Sequence, residues 1–534
     1  MPLTESHAHG VEAPPVLDTT IGDLLRSAAA RAGDRIALIE GIEDPAARRQ
    51  WTYAELLADA ERTARALLSR YQPGDHVAVW AHNIPEWVLV EFGCALAGMT
   101  IVTVNPAYQA NELQYVVSQS NSKALFVVDD HRGNAMRSIA EKIHPQCPDL
   151  EEIILFSEFD DFLASGEAST ELPAVAPNDQ VMIQYTSGTT GFPKGAALHH
   201  RGLVTNANHY FDRLGMVEGN AYVTMMPLFH TAGSAMSVLG STSMACTNVL
   251  VPAFEPGLVL DLMQTYDTTA MMGVPTMLIA LMEHPNFDDT DLSALSAICS
   301  GGSLVPENLV RTLEKELGAP FTIVYGQTEC SPVLNMTRPD DTIEDKALTI
   351  GAPMPGMEIR IIDPETGETL PVGETGELVT RGYQVMHGYY EMPERTAETI
   401  DTDGWLHTGD LAAMDDRGYC TIEGRLKDMI IRGGENIYPK ELEELLFGHD
   451  AVAEVAVVGL PDEKWGETVG AFIRPSAGHE VDKNELFAFM RENLAPHKTP
   501  KQWFSVAEFP LTGSGKIQKF KLREQWEAGD WAEL

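Results

Sequence analysis

Tyr53–Trp80, YAELLADAERTARALLSRYQPGDHVAVW, contains a helix pattern followed by a strand pattern. From Tyr53 to Ser69 the apolar residues recur every three or four positions, which is the spacing of an amphipathic helix. Pro73-Gly74-Asp75 is typical of a turn, and the short apolar run His76–Trp80 is typical of a buried strand. This stretch therefore predicts a helix that leads into a buried strand.

The same alternation recurs through the first two-thirds of the chain. Short β-rich runs lie beside helical segments at Lys123–Val128, Ala297–Ser300 and Phe321–Val324. Repeated alternation of this kind is typical of a mostly parallel sheet covered by helices. We therefore expect a large N-terminal α/β domain that spans residues 1–424.

The pattern of residues changes near residue 350 and again near residue 425. From about residue 350 to 424, frequent prolines and glycines separate short strands such as Glu358–Ile362 and Gly376–Thr380, which predicts a β-rich subdomain. Beyond a hinge at 425–428, residues 429–534 predict a small, mobile C-terminal α+β domain. Its elements are expected at Pro439–Phe447 (helix), Val452–Val458 and Thr468–Ile473 (strands), Asn484–Leu494 (helix) and Trp503–Glu508 (strand).

Composition excludes several classes of function. The 534 residues include 37 Lys and Arg against 78 Asp and Glu, which gives a formal net charge of −41. A field of that sign repels nucleic-acid phosphates and anionic lipid headgroups, so neither is expected as a main partner. Any anionic ligand must then bind at a locally basic or amide-rich site.

Cysteine usage and targeting signals point to the cytoplasm. The six cysteines lie far apart without a CxxC pair, so neither a disulfide framework nor a zinc ribbon is expected. The first residues lack the basic and apolar regions of a signal peptide, and Trp531–Leu534 is not a peroxisomal address. The most apolar stretch, Phe92–Val104, is shorter than the ~20 residues of a membrane span.

Tyr185–Gly195 has the composition of a phosphate-binding loop. Hydroxyl side chains, glycines and one lysine follow a buried run at Val181–Gln184. Exposed backbone N–H groups and a lysine suit phosphate oxygens. The loop lacks the Gly-Lys-Ser/Thr ending of a Walker A motif, and by itself the pattern is more often that of a flexible connection.

Further polar motifs follow this loop in the chain. They are Tyr325–Glu329, Gly404–Asp410, Gly424–Asp428, Arg432–Pro439 and Pro510–Ile517. The first closes a predicted strand, at the edge where open α/β sheets bind ligands. The second ends in a carboxylate that can accept hydrogen bonds from two vicinal hydroxyls, and the last carries one lysine on a glycine-flanked loop.

Taken in this order, the motifs resemble the adenylate-forming superfamily of acyl-CoA synthetases, firefly-type luciferases and peptide-synthetase adenylation domains. The resemblance extends from about Thr19 to Phe520. It implies a C-terminal domain that rotates on a hinge, and two half-reactions. In the first, a carboxylate attacks the α-phosphorus of ATP and gives acyl-AMP and pyrophosphate. In the second, a thiol takes the acyl group.

The resemblance also implies a nucleotide site. The β- and γ-phosphates would be held by Thr186, Ser187, Gly188, Thr189, Thr190, Gly191 and Lys194. Adenine would be lined by Gly301, Gly302, Ser303, Tyr325 and Gly326. Thr328 would touch the α-phosphate, and Glu329 would bind Mg²⁺, a hard ion that suits carboxylate and phosphate oxygens. Asp410 would hold the ribose hydroxyls with help from Arg425.

The C-terminal motifs imply the catalytic lysine and the CoA site. Lys516 would bridge the attacking carboxylate and the α-phosphate and neutralise the charge of the transition state. Lys427 matches the hinge position, where a backbone rotation would exchange the Lys516 loop for the segment of Gly433, Gly434 and Glu435. That segment would leave a tunnel for the pantetheine of CoA.

An acyl tunnel is implied by Pro227–Gly233, with His230 near its mouth. The residues inferred to bind the acid are His230, Gly233, Gly273, Val274, Ser300 and Cys330. Many relatives place Ala-Gly after the motif glutamate where this chain has Cys330-Ser331, so the floor of the pocket is not carried over from the family.

Asn105–Leu113 and Thr328–Val333 look most like the medium-chain acyl-CoA synthetase branch. The inferred pocket offers no partner for an amino-acid ammonium group, whose burial would be costly, so an apolar acid is expected. Aryl acids such as coumarates or benzoates remain an alternative, as does a carrier-protein thiol or an amine in place of CoA. A nucleotide sensor or a light-producing oxygenase is a different class, and the presence of Glu329 and Lys516 argues against a catalytically dead binder.

Overall fold

The computed structural model describes residues 2–534 except 187–192, 302–304, 306, 433–434, 463, 477 and 512–516. The described strands form four sheets, of nine, seven, five and five strands. The architecture is mixed α/β with a large N-terminal part and a small C-terminal domain, so the predicted fold class is confirmed. The domain limits at residues 424 and 429 stay a prediction.

The nine-stranded sheet carries residues that the sequence predicts to line adenine and the acyl tunnel. In spatial order its strands are Ala352–Pro353, Val333–Met336, Phe321–Gly326, Ala297–Gly301, Ala270–Met272, Ala221–Thr224, Thr247–Leu250, Ile36–Glu40 and Gln50–Thr52. From Phe321–Gly326 to Ile36–Glu40 the neighbouring strands run parallel, and only the edges are antiparallel. Parallel strands bring their carboxyl ends to one edge, where a ligand site can form.

The seven-stranded sheet supports the predicted phosphate loop. Its strands, in spatial order, are Gly388–Tyr389, Lys194–His199, Gln180–Thr186, Thr100–Val104, His76–Trp80, Ser122–Val127 and Glu152–Leu155. His76–Trp80 has its predicted bounds, lies near the centre and is fully buried. The helix predicted before it spans Tyr53–Leu68 and begins with a capping box between Thr52 and Glu55.

Helices cover both sheets. The helices of the N-terminal part are Ile21–Ala32, Tyr53–Leu68, Pro85–Ala97, Ala110–Gln119, Met136–Ile143, Phe159–Ala164, His200–Arg213, Ala232–Leu239, Gly240–Met244, Pro256–Thr265, Pro275–Met282, Glu307–Leu317, Ile343–Leu348 and Pro393–Thr399. The apolar stretch Phe92–Val104 comprises the end of a buried helix, a turn at Gly98 and a central strand. In the part of the chain that the structure describes, no helix is both long and apolar enough to span a bilayer.

A five-stranded antiparallel sheet carries Asp410. It consists of His7–His9, Met357–Ile362, Gly376–Gly382, Leu406–Met414 and Cys420–Arg425, in spatial order. The strands expected at Glu358–Ile362 and Gly376–Thr380 lie within it. The edge strand His7–His9 was not predicted, because three residues with two histidines carry no strand pattern of their own.

The C-terminal domain has its own sheet and core. The sheet contains Glu435–Ile437, Ile430–Arg432, Gly466–Pro475 and Val452–Asp462, with Gln502–Ser505 added in parallel. Its helices are Pro439–Phe447, Lys483–Asn493 and Lys519–Glu527. Ile430, Leu442, Val457 and Trp503 are buried together in one cluster.

Candidate active site

Two glycines shape the carboxyl ends of neighbouring strands. Gly301 ends one strand, and Gly326 ends the adjacent parallel strand. A Cβ on Gly301 would lie 2.5 Å from the carbonyl oxygen of Val324, and one on Gly326 would lie 1.9 Å from that of Pro332. Only glycine fits at either position, which leaves bare backbone where the adenine ring is expected. Gly302 and Ser303 lie outside the described residues.

Asp410 accepts hydrogen bonds from two side chains at this edge. The Tyr325 hydroxyl donates to Oδ2 at 2.6 Å, and Gln327 Nε2 donates to the same oxygen at 3.0 Å. Arg425 is paired with Asp410 in the neighbouring strand, and its Nε lies 3.4 Å from Asp410 Oδ1. Burial and the Asp410 carboxylate raise the pKa of Tyr325. The structure thus brings together the predicted Tyr325, Asp410 and Arg425, and it adds Gln327, to which the sequence assigned no role.

The turn before Asp410 is held by a charged pair. Gly409 has a left-handed φ of 70°, and its N–H donates to Glu377 Oε1 at 3.1 Å. The other oxygen of Glu377 is bonded to His407 Nδ1 at 2.8 Å. The hydrogen bond to Glu377 raises the pKa of His407. Glu377 and His407 therefore fix the backbone that orients the Asp410 carboxylate.

Glu329 lies on the turn Thr328–Cys330, at the end of the strand that carries Tyr325. The Tyr389 hydroxyl donates to Glu329 Oε1 at 2.7 Å, and burial raises the pKa of this tyrosine. Mg²⁺ is commonly held by one or two carboxylates together with phosphate oxygens. A partly exposed carboxylate at a strand end, beside the proposed phosphate site, fits that chemistry.

Lys194 begins the strand that follows the predicted phosphate loop. Thr186 and Lys194 are paired in antiparallel register, so the loop joins two adjacent strands at its base. Lys194 Nζ lies 4.0 Å from the centroid of the Tyr389 ring. Burial lowers the pKa of Lys194, and the charge of Glu329 opposes that effect. The other predicted loop residues, Ser187, Gly188, Thr189, Thr190 and Gly191, lie outside the described residues.

The predicted C-terminal site residues are described only in part. Lys427 lies in the short turn Leu426–Asp428, and Glu435 begins a strand with an exposed side chain. Lys516, Gly433 and Gly434 lie outside the described residues. Leu511 and Ile517, the described residues on either side of 512–516, form an isolated antiparallel β-bridge.

His230 precedes an eight-residue π-helix, Ala232–Leu239, a rare form that often occurs at functional sites. The N–H of Ala232 donates to His230 Nδ1 at 3.1 Å. A Cβ on Gly233 would lie 2.2 Å from the carbonyl oxygen of Pro227, so only glycine fits there. Side chains of the π-helix share one buried cluster with the ends of three strands and with the Glu329 turn: Ala232, Met236, Met272, Cys299, Val324 and Cys330.

Ser300 and Gly273, two of the predicted acyl-pocket residues, face the opposite side of the sheet from Cys299. Cys299 packs in the same cluster as Cys330, whereas Ile298 packs in a separate cluster on the opposite side of the sheet. Because side chains alternate along a strand, Ser300 shares the face of Ile298 and points away from Cys330. Ser300 Oγ is buried and has no hydrogen-bond partner among the residues that the structure describes. A Cβ on Gly273 would likewise point at Leu278, in that separate cluster. The assignment of Ser300 and Gly273 to the acyl pocket stays a prediction. Val274 caps the helix Pro275–Met282.

Family models match both parts of the chain. The model described as "AMP-binding enzyme" matches residues 25–390, and the model described as "AMP-binding enzyme C-terminal domain" matches residues 441–516.

Whole-length relatives agree with these matches. The chain is 39% identical to the putative acyl-CoA synthetase YngI of Bacillus subtilis (strain 168), over 96% of this chain and 97% of that protein. It is 36% identical to the mitochondrial medium-chain acyl-CoA ligase ACSF2 of Rattus norvegicus, over 98% and 90%.

Solved structures show the same architecture. ATP-bound MatB from Rhodopseudomonas palustris superposes with a TM-score of 0.85 at 29% identity, covering 95% of this chain and 99% of that one. The anthranilate CoA ligase AuaEII, in complex with anthranoyl-AMP, superposes with a TM-score of 0.85 at 26% identity, covering 96% and 98%. The chain belongs to the AMP-binding enzyme family. Within that family it is an AMP-forming acid–thiol ligase of the acyl-CoA synthetase type.

Proposed function

We propose that this enzyme activates an apolar, medium-chain carboxylic acid with ATP and transfers the acyl group to CoA. The observation that carries the proposal is the cluster around Asp410. Its carboxylate accepts hydrogen bonds from Tyr325 and Gln327 and faces Arg425, beside the bare backbone of Gly301 and Gly326. This arrangement suits a nucleoside, with the ribose hydroxyls donating to the carboxylate and the base lying against the strand ends.

The phosphates would extend from this nucleoside toward Thr328, Glu329 and Lys194. The loop that starts at Thr186 would supply backbone N–H groups to the β- and γ-phosphates, and Lys194 would supply a positive charge. Mg²⁺ held by Glu329 would neutralise phosphate charge and favour departure of pyrophosphate. MatB was solved with ATP bound, which supports a nucleotide in this fold.

In the first half-reaction, an oxygen of the acid attacks the α-phosphorus while the bond to the pyrophosphate oxygen breaks. Lys516 would stabilise the negative charge shared by the carboxylate and the α-phosphate, and Thr328 would contact that phosphate. In the second half-reaction, the sulfur of CoA attacks the acyl carbonyl, AMP departs as the leaving group and the thiol proton passes to solvent. The hinge at Lys427 would exchange the two C-terminal loops, so that Gly433, Gly434 and Glu435 line the thiol approach.

The acid would lie against the apolar cluster that contains Ala232, Met236, Cys299 and Cys330. These side chains can enclose methylene groups and offer no partner for a second charge. Each buried CH₂ contributes about 0.8 kcal/mol, close to a fourfold gain in kcat/KM per carbon until the tunnel ends. The ACSF2 relative is named as a medium-chain ligase, which supports this chain length.

The test is pyrophosphate release by a panel of straight-chain and aromatic acids, with and without CoA. We expect activity to rise from acetate to about C6–C12 acids and then to level or fall. An isolated peak on aryl acids, with a weak and flat response to alkyl length, would instead identify an aryl-CoA ligase. The likeness to AuaEII, solved with anthranoyl-AMP, makes that the second candidate. Product formation only with a carrier-protein thiol or an amine would exclude CoA as the acceptor.

A further inference from the structure

The segment Met386–Tyr390 connects two parts of the proposed Mg·ATP site. The N–H of its first residue donates to the carbonyl oxygen of Glu329 at 2.9 Å, and the N–H of its last residue donates to that of Gly195 at 2.8 Å. Between them, the short strand Gly388–Tyr389 pairs with the strand that Lys194 begins. The segment thus fixes the turn of Glu329 relative to the backbone of Lys194.

The side chain of Tyr389 contacts both of the opposite charges. Its hydroxyl donates to Glu329 Oε1 at 2.7 Å, and the face of its ring lies 4.0 Å from Lys194 Nζ. Tyr389 is 6% exposed, whereas Lys194 and Glu329 are each partly exposed. Among the residues that the structure describes, no carboxylate oxygen lies within 4.0 Å of Lys194 Nζ.

This separation matters because the two charges attract each other strongly where water is scarce. A direct ion pair would engage Lys194 and Glu329 with each other instead of with phosphate and metal. The tyrosine offers each group a different partner: the π face of the ring attracts the ammonium, and the hydroxyl satisfies the carboxylate. Neither contact cancels the charge of the group that it holds.

We propose that Tyr389 is a positioning residue that keeps Lys194 and Glu329 from pairing, so that Lys194 is available for phosphate and Glu329 for Mg²⁺. The inference rests on the proposed function, because it assigns the two residues to the phosphates and the metal of one nucleotide. Its experimental signature is the dependence of nucleotide binding on Mg²⁺, which packing of Tyr389 alone would not change.

The test measures equilibrium binding of α,β-methylene-ATP, which cannot be cleaved between the α- and β-phosphates. Dissociation constants are determined by calorimetry in EDTA and at saturating Mg²⁺, and their ratio is the magnesium effect. Tyr389→Phe keeps the ring against Lys194 and removes only the hydrogen bond to Glu329, so the magnesium effect should fall by about threefold. Tyr389→Leu removes both contacts, and we expect the magnesium effect to fall by about tenfold, toward that of Glu329→Gln.

A second variant separates charge pairing from local misfolding. In Tyr389→Leu combined with Lys194→Gln, no ammonium remains to capture Glu329, so the magnesium effect should return to that of Lys194→Gln alone. Overall affinity stays weak in both, because the phosphate-binding charge is absent. A double variant that remains as insensitive to Mg²⁺ as Tyr389→Leu would show that the leucine merely disrupts the turn, and would overturn the proposal.

The remaining outcomes distinguish this inference from the proposed function. Wild-type protein that binds no analogue, or a Glu329→Gln variant with an undiminished magnesium effect, would refute the assigned nucleotide site, and the role of Tyr389 would fall with it. If Glu329→Gln abolished the magnesium effect and Tyr389→Leu preserved it, the proposed role of Tyr389 would be refuted, while the assigned nucleotide site would stand.

Discussion

Replacing Asp410 by Asn should weaken nucleotide binding through the ribose. Asp410 is 6% exposed, and its carboxylate accepts hydrogen bonds from Tyr325 at 2.6 Å and Gln327 at 3.0 Å, with Arg425 at 3.4 Å from its other oxygen. Asparagine keeps one acceptor for these donors and turns an NH₂ group toward the arginine and the ribose. A hydrogen bond to a charged acceptor contributes about 1.5–3 kcal/mol. Losing the acceptor for the ribose hydroxyls should therefore raise the Kd for AMP about 10- to 150-fold.

The assay is calorimetric titration with AMP, 2′-deoxy-AMP and 3′-deoxy-AMP, which needs neither acid nor metal. In the wild type, removing a hydroxyl should weaken binding, whereas in Asp410→Asn the deoxy nucleotides and AMP should bind nearly alike. Asp403→Asn is the matched control, because it removes the same charge from an exposed residue nearby. Unchanged AMP affinity in Asp410→Asn, or an undiminished effect of the missing hydroxyl, would refute the ribose assignment.

Three further outcomes test the lysines and the turn before Asp410. Lys516→Ala should slow acyl-AMP formation about 10²-fold while supplied acyl-AMP is still converted to thioester, and equal loss in both single-turnover steps would contradict this division. Lys427→Pro should leave ATP–pyrophosphate exchange nearly intact and depress thioester formation, because proline fixes the backbone at the hinge. Lys427→Ala is the control for the lost charge. If Lys427→Ala showed a similar defect, the hinge would lie elsewhere. Pairing with Glu377 raises the pKa of His407 above 6.5, so its stabilising contribution is complete below pH 6.5 and is lost as the pH rises through the raised value. The Tm advantage of the wild type over His407→Gln should accordingly be largest near pH 6 and shrink at alkaline pH, and a pH-independent difference would exclude the pair as its source.

Strong local patterns account for the elements that the sequence predicted well. His76–Trp80 and Pro439–Phe447 have their predicted bounds, because an apolar run after a turn and a proline at a helix start are signals within a few residues. Contacts between distant residues leave no such signal. Tyr389 and Glu329 are 60 positions apart, and Gln327 and Asp410 are 83 apart, so neither hydrogen bond was predictable without the fold.

That Ser300 lies on the opposite face of the sheet from Cys299 was predictable from the sequence. Ala297–Ser300 was predicted as a strand, and the alternation of side chains along a strand already places Cys299 and Ser300 on opposite faces. Which face meets the π-helix depends on how that helix packs on the sheet, and only the structure supplies this information.

The electrostatics of the site explain how so acidic a protein can bind a polyanion. A net charge of −41 opposes the approach of ATP, so attraction must come from charges held close to the phosphates. Burial lowers the pKa of Lys194, which means that the surrounding protein disfavours its ammonium charge. A phosphate bound at Lys194, as proposed, would reverse that balance, because an anion in contact with a poorly hydrated ammonium gains more Coulomb energy than it would in bulk water. A phosphate can gain this energy only where no internal carboxylate occupies its place beside Lys194, and the Glu329 carboxylate is hydrogen-bonded to Tyr389.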